Sequence, residues 1–178
     1  GLMASYTPDG YIEFIDAALQ ARFPLGAALV EGGLQNQQIG HCIDFFLSNK
    51  STPEAVVKQF STIVHECGHF YDIGLSGFEG ATYVITESLT LTCSGGDKKE
   101  YGGNTFVRSE LTNDTFSDEY PPCPEGQFGG DCDFYANTYL AGQAGDQGFS
   151  MLFEEFVQYV NSLATGYAFN DFYAGSSS

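Results

Sequence analysis

Residues 51–74 read STPEAVVKQFSTIVHECGHFYDIG, and the rest of the chain is understood from this stretch outward. Ser51-Thr52-Pro53-Glu54 has the S/T-x-x-E form of a capping box with proline in the first turn, which predicts a helix start. Behind it Val56, Phe60, Ile63, Val64, Cys67, Phe70 and Tyr71 recur at i, i+3, i+4 and i+7. That spacing is one apolar stripe to be buried, and Gly74 is the natural stop.

Inside the predicted helix stands His65-Glu66-Cys67-Gly68-His69, an HExxH. Residues i and i+4 lie on one helix face roughly 6 Å apart, so both imidazoles can reach one tetrahedral zinc ion. Glu66 projects beside the metal, where it can hold a water and take its proton as the oxygen attacks a peptide carbonyl. The apolar stripe uses positions 60, 63, 64, 67, 70 and 71, while 61, 62, 65 and 69 fall on another face. Both histidines are therefore turned away from the core. His41, the third of three histidines, reads as a polar residue at the start of a strand.

A third ligand must be found elsewhere. A metzincin continues HExxHxxGxxH, but Leu75 occupies the place of that third histidine, and no histidine lies downstream. The remaining ligand is then a carboxylate. Glu154 and Glu155 are best placed, because they lie on a second predicted helix whose apolar face must dock on the core. Glu87, 18 positions beyond His69, is the rival, in surroundings that read as extended.

The flanking chain supplies the other elements. Tyr11 to Phe23 has helical spacing that ends near Pro24-Leu25-Gly26, followed by a Gly/Gln-rich stretch from Gly32 to Gln38. Cys42 to Leu47 reads as a short strand, and Ala81 to Thr92, rich in Thr, Val, Ile and Leu, as another. Residues 94–132 hold many Gly, Asp, Asn, Ser and Pro residues and predict an irregular excursion pinned by cysteines. A last helix runs from about Phe149 to Ala164, with Leu152, Phe153, Phe156, Val157, Val160 and Leu163 inward, and residues 175–178 form a frayed tail. With no internal repeat, one domain over 1–178 is expected.

Composition narrows the function. The chain has 178 residues, 43% of them apolar, with 16 Phe and 11 Tyr to fill a core. Lys+Arg number 6 against 23 Asp+Glu, a net charge of −17. So few cations cannot neutralise a run of phosphates, which argues against nucleic acids and anionic membrane surfaces. No stretch approaches the roughly 18 apolar residues of a membrane span. Any substrate should be neutral or cationic rather than acidic.

Five cysteines are present, none in a C-x-x-C pair, which argues against a cysteine-built zinc site. Cys123 and Cys132 bracket the Pro-, Gly- and acid-rich segment PPCPEGQFGGDC, which reads as a disulfide-closed loop suited to an oxidising compartment. A secreted, periplasmic or cell-surface location is therefore expected.

Residues 65–72, HECGHFYD, resemble the HExGHxxD of the gluzincin peptidases related to the catalytic domain of anthrax lethal factor. In that group a later helix supplies a glutamate in the form E-x-F-(small or apolar). Glu154-Glu155-Phe156-Val157 matches it and favours Glu154 over Glu155. The resemblance implies a tyrosine ahead of that glutamate as oxyanion stabiliser, with Tyr139 as counterpart and Tyr135 as the alternative. It implies that Asp72 orients a metal-bound histidine, with helix-end capping as the plain alternative. It also implies an α+β, zincin-like fold, a small mixed sheet packed on the motif helix. Cys42 to Leu47 would be the edge strand to which a peptide substrate adds. The expected activity is that of a zinc metalloendopeptidase on a peptide or protein substrate: His65, His69 and Glu154 on one Zn2+, Glu66 as base. The alternative is a zincin-fold binding or adhesion module with structural zinc closed by a fourth protein ligand, for which Cys67 is the obvious candidate although at i+2 from His65 it points to the opposite side of the helix.

Overall fold

The motif helix forms, but in two pieces. The computed structural model describes residues 2–36, 38–77, 82–92, 123, 132–133, 135 and 148–175. In it α4 is Pro53–Val57 and α5 is Phe60–Ser76. Thr52, not Ser51, is the cap: its Oγ1 accepts from the Ala55 N–H at 3.1 Å, with Pro53 at the first helical position. The break falls at Lys58–Gln59, where the Gln59 carboxamide folds back on the preceding loop. It accepts from the Ser48 N–H at 2.9 Å and donates to the carbonyls of Asn49 at 2.7 Å and Ala55 at 2.8 Å. The helix also runs past Gly74 and ends at Gly77, whose φ of +74° suits glycine, and whose N–H reaches the Ile73 carbonyl.

The expected stripe is buried: Val56, Phe60, Ile63, Val64, Cys67 and Phe70 all belong to the core. Around it lie α1, Tyr11–Arg22, and α2, Pro24–Gln35. The second of these takes in the first part of the Gly/Gln-rich stretch. Pro24 ends α1 but opens α2 at its first position. Gly32 and Gly33 then let α2 press against α5: a Cβ on Gly32 would enter the Tyr71 ring, and one on Gly33 would strike the Cys67 carbonyl. The cost of glycine within a helix, about 1 kcal/mol each, is offset by this close approach.

Cys42–Phe46 is α3, a short helix rather than an edge strand. Cys42 and Ile43 are both fully buried, and Cys42 is joined to Cys67 of α5 by a disulfide. His41 caps this helix, its Nδ1 accepting from the Asp44 N–H at 3.3 Å. A bond between positions 25 apart raises stability by about 3.5 kcal/mol on the chain-entropy argument.

The expected single strand is a hairpin, β1 Thr82–Thr86 and β2 Leu89–Thr92, paired antiparallel with Tyr83 opposite Leu91. Tyr83 and Val84 of β1 are buried, whereas β2 is exposed along its length. Among the described residues the architecture is thus mostly helical with a small two-stranded antiparallel sheet, compatible with α+β.

The last long helix, α6, is Gly148–Ala168, followed by α7, Asn170–Gly175, which takes in the first residue of the expected tail; 176–178 lie outside the described residues. Phe169 packs on Phe60 with ring centroids 5.0 Å apart, and the Tyr173 hydroxyl donates to the Val57 carbonyl at 3.0 Å. Arg22 of α1 pairs with Asp171 and lies over the Phe169 ring. The inward face expected for α6 fails at three of its six residues, whereas Val157 is buried and Leu152 and Phe153 are half-buried. Phe156 is 59% exposed, Val160 46% and Leu163 75%, while Val157, Gln158, Asn161 and Thr165 are buried. The buried polar groups are bonded to one another and to α5, which removes the penalty of taking them from water.

By internal contacts the chain divides into two compact units, Gly1–Cys93 with Phe156–Ser178, and Ser94–Glu155. The second begins where the Gly- and Asp-rich stretch begins. It contains the Cys123–Cys132 disulfide, and the Cys123 N–H donates to the Asp133 carbonyl at 3.4 Å. Two disulfides suggest an extracellular location. Among the described residues no helix is long and apolar enough to cross a membrane.

Candidate metal centre

The face of α5 left over by the core carries the two histidines. His65 is buried at 8% exposure, and Glu66 and His69 are half-buried. The Nε2 atoms of His65 and His69 lie 3.1 Å apart, with ring centroids separated by 4.8 Å and nearly perpendicular. Two imidazole nitrogens on one tetrahedral ion, each roughly 2.0–2.1 Å from it, would be about 3.3 Å apart. The pair is therefore preset at ligand spacing.

The third donor comes from α6. His65, His69 and Glu155 each offer one ligand atom, and these atoms all lie within 4.8 Å of one another, a group that could hold a metal ion. Two contacts explain why Glu155, rather than its neighbour, stands there. The Tyr159 ring packs edge-on to His65 with centroids 4.8 Å apart, and Ser162 Oγ lies 3.3 Å from His65 Nδ1. Positions 155, 159 and 162 share one stripe of an α-helix, so the two contacts fix the azimuth at which Glu155 stands. Glu154, the ligand favoured by motif form, is displaced by about 100° around the helix and is buried at 7% exposure. Glu87 is exposed at the turn of the hairpin.

Gly68, at the centre of the motif, has a packing role. A Cβ there would collide with the Gln158 carboxamide of α6. That carboxamide donates from Nε2 to Asp72 Oδ2 at 3.0 Å and accepts from Asn161 Nδ2 at 3.0 Å. Asp72 Oδ1 in turn accepts from the Val84 N–H of β1 at 3.0 Å. The buried carboxylate thus ties α5 to the hairpin and to α6, placing the histidine face against the stripe that carries Glu155. That is a wider role than helix-end capping.

Tyr139, the expected oxyanion stabiliser, lies outside the described residues, and Tyr135 is 58% exposed. Tyr159 and Ser162 are the residues that sequence reasoning missed. Their signal was present, as hydroxyl-bearing side chains at i+4 and i+7 from Glu155. Cys67 is oxidised and fully buried, so it offers no thiolate to close a fourth position.

Comparison with family models, with curated proteins and with solved structures gave no match to this chain. No family is assigned.

Proposed function

We propose that the protein is a zinc-dependent metalloendopeptidase of zincin type, with Glu155 rather than Glu154 as the carboxylate ligand. The observation that carries this reading is the 3.1 Å approach of the His65 and His69 Nε2 atoms beside Glu155. Two imidazoles and one carboxylate form a donor set that suits zinc and keeps a fourth position for water or substrate. Bound there, zinc would acidify that water and polarise the scissile carbonyl. Glu66, adjacent to His65 on the same helix, would accept the water proton and return it to the leaving amine. Tyr139 keeps its place as the proposed oxyanion donor. With α3 helical, the exposed strand β2 is the edge at which an extended peptide can add. A net charge of −17 favours neutral or cationic substrates. The two disulfides support a secreted or cell-surface enzyme. The rival, a binding module with a closed structural site, loses Cys67 as its fourth ligand.

Three variants test the reading. Glu66→Gln should retain zinc and lose peptide hydrolysis, by at least about 100-fold as expected for removal of a general base. Glu155→Ala should lose zinc by equilibrium dialysis, whereas Glu154→Ala should retain it. A wild-type protein that takes up no zinc, or proteolysis that survives in Glu66→Gln, would sink the proposal.

A further inference from the structure

We propose that Ser162 is a positioning residue that fixes the tautomer of His65 and so aims its Nε2 lone pair at the metal position. This rests on the reading of His65 as a metal ligand. The argument is one of proton accounting. The Ser162 hydroxyl has a single hydrogen, and it donates to the Ser61 carbonyl at 3.1 Å, an oxygen that can only accept. Its lone pairs then face His65 Nδ1 at 3.3 Å, so the contact is satisfied when Nδ1 carries the proton and donates. A neutral imidazole protonated at Nδ1 has its lone pair at Nε2, the nitrogen that faces His69.

The relay is anchored at both ends. Ser61 lies one turn before His65 on α5, so the carbonyl and the ring move as one body. Ser162 is held on α6 by its neighbours: Asn161 donates to Gln158, Gln158 donates to Asp72 of α5, and Thr165 donates to the Asn161 carbonyl. A serine on a helix face could serve only to satisfy a local carbonyl. Here its remaining valence falls on the ring nitrogen of a ligand, which is how outer groups orient metal-binding histidines.

The test uses the full chain. In the zinc-free protein, 15N shifts of the His65 ring should report the Nδ1–H tautomer. Ser162→Ala should shift that tautomer population and weaken zinc binding, measured by chelator competition, by about 10–100-fold. Ser162→Thr, which keeps the hydroxyl, should restore both. An alanine variant with an unchanged tautomer, or with a changed tautomer and wild-type zinc affinity, overturns the proposal. Wild-type protein that binds no zinc would instead overturn the metallopeptidase reading, and the tautomer in the zinc-free alanine variant would still decide whether Ser162 sets the ring.

Discussion

Helices α5 and α6 have the same kind of apolar periodicity, and the fold treats them in opposite ways. In α5 the stripe from Phe60 to Phe70 is the core. In α6 the stripe Phe156, Val160, Leu163 and Tyr167 is exposed, and the buried side is largely Gln158, Asn161 and Thr165 with Val157. Periodicity identifies a stripe; it does not say which stripe is covered. What turns α6 is the partner it meets. Gly68 leaves a recess in α5 that only a side chain from a neighbour can fill, and Asp72 beside it needs a donor. A glutamine satisfies both requirements, and a leucine would leave a buried carboxylate oxygen without that donor.

The contrast can be broken directly. Phe60→Ala should lower unfolding free energy by about 3–5 kcal/mol, as expected for an aromatic truncation in a packed core. Leu163→Ala, at 75% exposure, should change it by less than about 0.5 kcal/mol. Denaturant unfolding of the two variants measures both values. A large loss for Leu163→Ala would show that the stripe on α6 is covered in solution.

Gln158→Leu sharpens the same point with a change of similar volume. It removes the donor to Asp72 and the acceptor for Asn161, and should cost about 1–3 kcal/mol. Equal or greater stability in this variant would mean that something other than the polar network selects the buried face of α6.

A last effect, confined to alkaline pH, lies away from both helices and serves as their reference. Tyr11 of α1 donates to Asp44 of α3, and that bond, with burial added, pushes the phenol up to about 12. A raised native value means that the folded chain keeps a proton the unfolded chain has lost. Stability present below about pH 10 should therefore decline as pH rises towards about 12. Tyr11→Phe should flatten that decline, as read from urea midpoints across the window. An identical alkaline slope in the variant would remove Tyr11 as its source.

The misread elements share a cause. Cys42 to Leu47 has the residues of a strand, but a strand needs a neighbour, and the disulfide to Cys67 with the His41 cap offers a helix instead. The glycines at 32 and 33 lower helix propensity and so gave no helix signal, yet they mark where two helices come closest. Glu154 matched a motif by its spacing to Phe156, whereas the rotation of α6 brings Glu155 to the histidines.

The sequence by itself determined what chemistry is on offer: a strongly acidic chain, a buried stripe on the motif helix, and two histidines one turn apart on the face beside that stripe. Those conclusions follow from local geometry, since i and i+4 on a helix meet whatever surrounds them. Only the tertiary structure decided which cysteine joins Cys67, which face of α6 is covered and which glutamate reaches the histidines. Each of these depends on the rotation of one element against another. That rotation is set by a few close contacts, Gln158 on Gly68 and Ser162 against His65, between residues about 90 to 97 positions apart, which no local pattern records.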